Sequence, residues 1–250
     1  MIYATTPPQT PEQRPPAPTT ARERRRIARL NDILEAAEAQ VVRAGFDSLS
    51  IQGVAQAVDL TPGALYRYFD SKSALIIALT ERVVSGFASD LGRVLETLPA
   101  RSPLARVAAA ALTYGELATE APHRFGLLSM LLADARVLVP EAQTAAPAMT
   151  AATTALDPIV RALEHARSLG LLSDGDAAER ALVLMASSHG ILQLRKQAQR
   201  LPQLLDVQVL LRRTVAALLV GWGATPDDAN GTISALDEGG PLLRRLGERA

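Results

Sequence analysis

SLSIQGVAQAVDL at residues 48–60, followed without a break by TPGALYRYFDSKSAL at 61–75, decides the fold of this chain. Ser50 is a good N-cap for a short helix that turns Ile51, Val54, Ala55 and Val58 inward. Asp59 sits in the turn. Thr61 caps the next helix, with Pro62 at its first position, where a missing N–H costs nothing. Leu65 and Phe69 lie four apart on one face and point back to a small core. Tyr66, Arg67 and Tyr68 cannot all be buried at that spacing, so some face outward. Asp70–Ser71 ends this helix and Lys72 starts another. A helix, a tight turn and a helix with an aromatic and cationic outer face form a helix-turn-helix, whose second helix enters the major groove of DNA.

Working outward, ILEAAEAQVVRAGF begins at Ile33, and a helical stripe of Ile27, Leu30, Ile33, Leu34, Ala37, Val41 and Ala44 precedes the motif, closed by Gly45. Before it, residues 1–20 hold six prolines and few large apolar side chains, so they read as a disordered arm. ARERRRIAR then merges into the first helix. Its arginines either reach phosphates or an A·T-rich minor groove, or form a solvated helix start.

On the other side, Leu75, Leu79, Val83, Phe87 and Leu91 form the seam of a long fourth helix to about Leu98, stopped by Pro99. Further helices are expected near 103–120, 122–138 (ended by Pro140), 148–169, 174–199 and 204–222, with Ser173 or Asp174 capping the fourth of these five. Trp222–Gly223 closes the last, leaving a polar, Gly-rich tail with two short helical turns.

Composition agrees. The chain has 250 residues, nearly half of them apolar and rich in Ala and Leu, with no cysteine. This favours an all-α protein and excludes disulfides and thiolate zinc sites. The net charge is zero, which argues against a generally basic nucleic-acid coat protein but leaves room for a basic end: residues 1–30 hold six Arg and two Glu. No apolar run approaches the ~18–20 residues that span a bilayer, and no apolar signal region opens the chain, so a cytoplasmic protein without membrane contact is expected. The expected organisation is a disordered arm at 1–22, a three-helix head with the helix-turn-helix at 23–71, a larger helical ligand-binding and dimerisation domain at 72–223, and a tail at 224–250.

On Ser50, Val54, Ala55 and Val58, then Leu60 through Phe69, then Ser71, Lys72 and Leu75, the chain resembles the TetR family of bacterial one-component transcriptional regulators (TetR/AcrR-like). The resemblance spans about Ile27–Leu79. Asp59 departs from the usual glycine, yet Asp tolerates left-handed geometry better than most residues. The segment from Ser187 to Leu192 is similar to a His-Gly motif in one branch of such bodies. The resemblance implies homodimers whose heads bind palindromic operators and whose bodies bind small ligands that change head spacing. Repression is the expected outcome; an activator of the same fold without an effector, or a helical protein-interaction module, are the alternatives.

The chemistry of the residues assigns DNA roles independently. Gly63 and Ala64, after Pro62, let backbone approach the groove floor, and Ala64 can pack on a thymine methyl. Tyr66 and Tyr68 offer hydroxyls to phosphate, although Tyr66 also fits a core aromatic. Arg67 can pair with a phosphate or a guanine edge. Lys72 clamps the backbone beside a helix N-terminus. Ser50 and Thr61 are caps first and phosphate donors in addition, and Gln52 is an exposed base or phosphate contact.

In the body, Tyr114, Phe125, Met130, Leu131, Met185, Ser188, His189 and Gln193 are candidate lining residues of a ligand cavity between helices. His189, interrupting an apolar face, is either hydrogen-bonded structure or the polar contact. His123 and His165 have no carboxylate at metal spacing, so no metal or cofactor is expected. Leu204, Leu205, Val209, Leu210, Val215, Leu218 and Leu219 are the expected dimer seam. No Gly-rich phosphate loop, serine elbow or HExxH motif appears, so the chain reads as no enzyme.

Overall fold

The structure, a computed structural model, describes residues 20–133 and 146–243, with the side chains of Phe46, 130–133 and 146–152 left aside. The described residues are helical and contain no strand. The head consists of α1 (Ala21–Ala44), α2 (Ile51–Ala57) and α3 (Pro62–Leu65), with a single 3₁₀ turn at Phe46–Ser48. The body follows as α4 (Lys72–Glu96), α5 (Pro103–Glu120), α6 (Pro122–Ala133), α7 (Ala146–Ser168), α8 (Ala177–Gln193), α9 (Arg195–Arg200), α10 (Val207–Gly221) and α11 (Pro226–Glu238).

Local chemistry sets the boundaries. Thr20 and Glu23 form a reciprocal capping box at the start of α1, so the last residues of the expected arm belong to a capped helix; residues 1–19 lie outside the described part. The inner face of α1 is Ile33, Ala37 and Val41, all fully buried. Ile27 is 51% exposed and Ala44 is exposed as well, so the apolar stripe is shorter than periodicity indicates. Gln40 reaches back to donate to the Ser48 carbonyl at 2.9 Å, and Gly53 lets α2 close onto it: a Cβ there would lie 2.7 Å from Gln40 Nε2.

Helix α5 is apolar on nearly every side, from Leu104 through the run Val107–Leu112 to Leu117, which marks a helix surrounded by others. It contacts α4, α6, α7, α8, α10 and α11. Gly115 allows α10 to approach, since a Cβ there would sit 2.6 Å from Leu211 Cδ2, and Gln208 on α10 donates to the Gly115 carbonyl and the Thr119 hydroxyl. Head and body share one continuous core, carried across by α4, whose Leu75, Leu79, Val83, Phe87 and Leu91 are all buried.

Several expectations are corrected here. The third head helix is α-helical for Pro62–Leu65 only; Arg67 and Tyr68 then donate to carbonyls three residues back, tightening the last turn before Asp70. The expected 174–199 helix starts later and is divided at Leu194. Its N-cap is Asp176, not Ser173 or Asp174: the Ser173 hydroxyl donates to the Trp222 carbonyl and Asp174 pairs with Arg167 at 3.5 Å, while Asp176 accepts from the amides of Ala178 and Glu179. Helix α10 begins at Val207, capped by Asp206, rather than at 204. Beyond Trp222 the chain forms the thirteen-residue α11, capped by Thr225, which buries Ala229, Ile233 and Leu236 where only short turns were expected. Residues 134–138 of the expected 122–138 helix, and Pro140, lie outside the described residues.

The expected dimer seam is partly used inside the chain itself. Val215 and Leu219 are fully buried in its own core, and Leu205, Leu210 and Leu218 are half-buried. Leu204 is 82% exposed and Val209 is exposed, in company with Leu182, Val183, Leu201 and Val220. Two polar ties secure the far end. The Ser173 amide and hydroxyl both donate to the Trp222 carbonyl, while the Arg180 guanidinium lies 5.7 Å from the centre of the Trp222 ring. Glu116 accepts the amides of Leu242 and Leu243, both at 2.7 Å.

Candidate functional site

The first site is the outer face of the head. Three caps set its backbone: the Ser50 hydroxyl accepts from the Gly53 amide, Thr61 from Ala64 and Ser71 from Ala74, all at 3.0–3.2 Å. Between α2 and α3, Asp59 takes φ 54°, alone among non-glycine residues described, and the Leu60 amide returns to the Ala55 carbonyl at 2.9 Å. Leu65, fully buried, and Phe69 pin α3 to the head core.

That anchoring leaves Ser50, Gln52, Thr61, Pro62, Gly63, Tyr66, Arg67 and Lys72 exposed, with Ala64 half-buried. Tyr66, at 48% exposure, is no core aromatic. Tyr68 is half-buried and packs its ring against the core. Among the described residues neither Arg67 nor Lys72 enters an ion pair, so both cations remain available to an anion. Arg29 on α1 donates to the Val58 carbonyl at 3.3 Å, tying the first helix to the motif's turn. A surface of unpaired cations, hydroxyls and bare backbone on a one-turn helix can take up phosphates and base edges.

The second site lies inside the body. A cavity of about 360 Å³ opens between α4, α5, α6, α7 and α8. Val84 and Phe87 form one wall, Leu128 and Ile159 another, and Met185 with His189 a third. Almost all of this surface is hydrocarbon. Its polar corner is the contact between the Tyr114 hydroxyl and His189 Nδ1 at 2.7 Å, backed by Gln193 Nε2 at 2.9 Å from His189 Nε2.

An aromatic cluster fixes the corner. Tyr114 lies 5.2 Å from Phe87 and 5.3 Å from Phe125 between ring centres, and the Arg195 guanidinium caps Phe125 at 4.4 Å. Burial holds the Tyr114 phenol far above its ordinary range, so it stays protonated. Burial, and then the charge of Arg195, push His189 below its ordinary value, so the imidazole is neutral at pH 7.

Of the residues singled out in the sequence, Tyr114, Met185 and His189 line this cavity. Phe125 packs behind Tyr114, and Gln193 stands behind His189. Ser188 is buried and donates to the Leu184 carbonyl, a helix-internal bond that faces no cavity polar group. Met130 and Leu131 are on the last turn of α6, and their side chains lie outside the described residues. Sequence reasoning missed Val84, Phe87 and Ile159, which look like ordinary seam positions, and Arg195, whose only signal is a cation just beyond an apolar helix. A larger cleft of about 580 Å³, lined by Arg101, Asp227 and Asp228 beside α11, has no part of this aromatic cluster.

Comparison with known proteins bears on both sites. Residues 33–79 match the family model of bacterial regulatory proteins, tetR family. No curated protein matches the chain. Among solved structures, a protein with unknown function from Rhodococcus sp. RHA1 is 25% identical, covering 77% of this chain and 94% of its own, with a TM-score of 0.63. SmeT, the repressor of the Stenotrophomonas maltophilia multidrug efflux pump SmeDEF, is also 25% identical, over 77% of this chain and 89% of its own, with a TM-score of 0.59. AibR, solved with isovaleryl coenzyme A and operator DNA, is 24% identical and similar in fold, over 67% of this chain and 86% of its own at a TM-score of 0.51. Among the described residues no helix is long and apolar enough to cross a membrane. The helix-turn-helix head, at residues 33–79, thus matches the DNA-binding domain of the tetR family of bacterial regulatory proteins, and the helical body behind it is folded like that of SmeT.

Proposed function

We propose that the protein is a repressor that binds a palindromic operator as a homodimer and is released by a small lipophilic effector. Residues 23–71 act as the DNA-reading unit; residues 72–223, with α11 packed against them, bind the effector and dimerise. The observation that carries this reading is the single unbroken helix α4. It begins with Lys72 on the DNA-facing surface and supplies Phe87 to the cavity wall. An occupant that displaces α4 at Phe87 therefore acts on the head by differential affinity for two arrangements of the same rod.

Gly63, Ala64 and Gln52 are the candidates for base contact, Ser50, Thr61, Pro62, Tyr66, Tyr68 and Lys72 for backbone positioning, and Arg67 for a phosphate or a guanine edge. Exposed Leu182, Val183, Leu204, Val209 and Val220 support a pairing surface on α8–α10. A two-fold pair would set its reading helices one DNA turn apart, about 34–36 Å. SmeT, a repressor, and AibR, bound to an acyl thioester and operator, are precedents on the same fold. Selection of binding sites from random duplex DNA tests the reading: the expected result is an inverted repeat bound by a dimer. A protein that sediments as a monomer and enriches no sequence would overturn it.

A further inference from the structure

Helix α1 extends beyond the head core with a cationic edge. Its first fully buried residue is Ile33, so residues 21–32 project as about 18 Å of helix, of which only Arg29 and Leu30 are half-buried. Residues 21–29 carry five arginines and one carboxylate, Glu23, and that carboxylate accepts the Thr20 amide in the capping box. Arg22, Arg26 and Arg29 follow one another at intervals of four and three, on the face that continues into Ile33. Arg29 shows where that face points. Its guanidinium donates at 3.3 Å to the carbonyl of Val58, at the end of α2 and three residues before the exposed Thr61 cap of α3. Arg22 and Arg26 continue the row past this contact. Both are exposed, and neither enters an ion pair or hydrogen bond among the described residues.

Helix stability does not account for this row. Like charges four apart repel, and cations in the first turns of a helix oppose its dipole, where acids would stabilise it. The row becomes favourable only when a partner supplies negative charge. Duplex backbone fits that requirement, because the Arg29–Val58 tie sets the row beside the turn that leads into the exposed Thr61, Gly63 and Arg67. Arginines that neutralise phosphates there release counterions, which strengthens binding to any sequence.

Resting on the reading of the head as the DNA-binding unit, we infer that α1 is a second DNA-contacting element, whose Arg22 and Arg26 bind backbone phosphates beside the groove that α3 enters. Arg29 is a positioning residue that holds α1 against the end of α2. The two phosphate contacts add affinity and carry no sequence preference of their own.

Fluorescence anisotropy with the full chain and long mixed-sequence duplex DNA, at several salt concentrations, tests this. The variant Arg22→Ala/Arg26→Ala keeps a good helix former at both exposed positions. It is expected to flatten the plot of log K against log salt by roughly two units, so that raising salt about fourfold costs the unmodified protein roughly tenfold more affinity than the variant. Arg22→Lys/Arg26→Lys is expected to keep the full slope, and a lysine pair as flat as the alanine pair overturns the phosphate contacts. The flattening should be equal on alternating A·T and alternating G·C duplexes; a flattening confined to A·T places the arginines in the minor groove and overturns the assignment to phosphates. Lys72→Ala, measured alongside, separates this inference from the reading it rests on. A slope flattened by Lys72→Ala and unchanged by the arginine pair overturns the role of α1 and leaves the DNA-binding head standing. If the unmodified protein binds no duplex even at low salt, the DNA-binding reading falls and the role of α1 falls with it.

Discussion

Head and body bury apolar surface to different ends. In the head, Leu65, Val54, Ala55, Ile33 and Leu49 are buried in the core, and the reading face left outside is polar, cationic or bare backbone. In the body, five helices leave about 360 Å³ open, and the polar groups Tyr114 and His189 are turned inward. The head presents its polar groups on an outer surface; the body turns its own toward an inner space. One helical fold thus carries two kinds of candidate site.

Substitutions can break that contrast. Leu65→Ala, at a fully buried position of the head core, is expected to cost about 2–5 kcal/mol and to abolish operator binding. Met185→Ala, half-buried beside space already open, should cost clearly less, as thermal melts of the two variants would show. Lys72→Ala should leave stability unchanged, weaken binding to every duplex about tenfold and reduce the dependence of log K on log salt by roughly one unit. Gel shifts at several salt concentrations would show it; an unchanged slope removes Lys72 from the phosphates.

Asp59→Gly relieves a left-handed backbone in the turn and should raise stability by about 1 kcal/mol, whereas Asp59→Ala should lower it. The smallest effect concerns pH. The folded state holds His189 below its ordinary value of 6.5, so the unfolded chain binds that proton more readily. His189 therefore lowers stability only as pH falls through and below that value. Between neutral pH and about pH 5.5, the melting temperature of His189→Gln should drop slightly less than that of the unmodified protein.

The same contrast explains what could be read from the sequence. Every signal in the head is local: Ser50, Thr61 and Ser71 each cap an amide three residues on, and Pro62 and Asp59 mark the turn between them. The body obeys longer-range rules. Ser173, Asp174 and Asp176 are equal as caps in sequence, and only the partners Trp222 and Arg167, distant in the chain or across a loop, remove the first two. Helix α10 is apolar on several faces, so periodicity alone could not tell that Val215 and Leu219 turn inward while Val209 and Val220 stay outside. The cavity corner was legible as Tyr114 and His189. Its walls were not, because Val84, Phe87 and Ile159 become neighbours only when α4 and α7 pack together.

Trp222 is the chain's single tryptophan, clamped between Arg180 and Ser173 where the segment before α8 meets the end of α10. Its indole emission therefore monitors the body and is silent about the DNA-reading end. Denaturant titrations followed by fluorescence and by far-ultraviolet circular dichroism in parallel would separate loosening of the body from loss of helix in the chain as a whole.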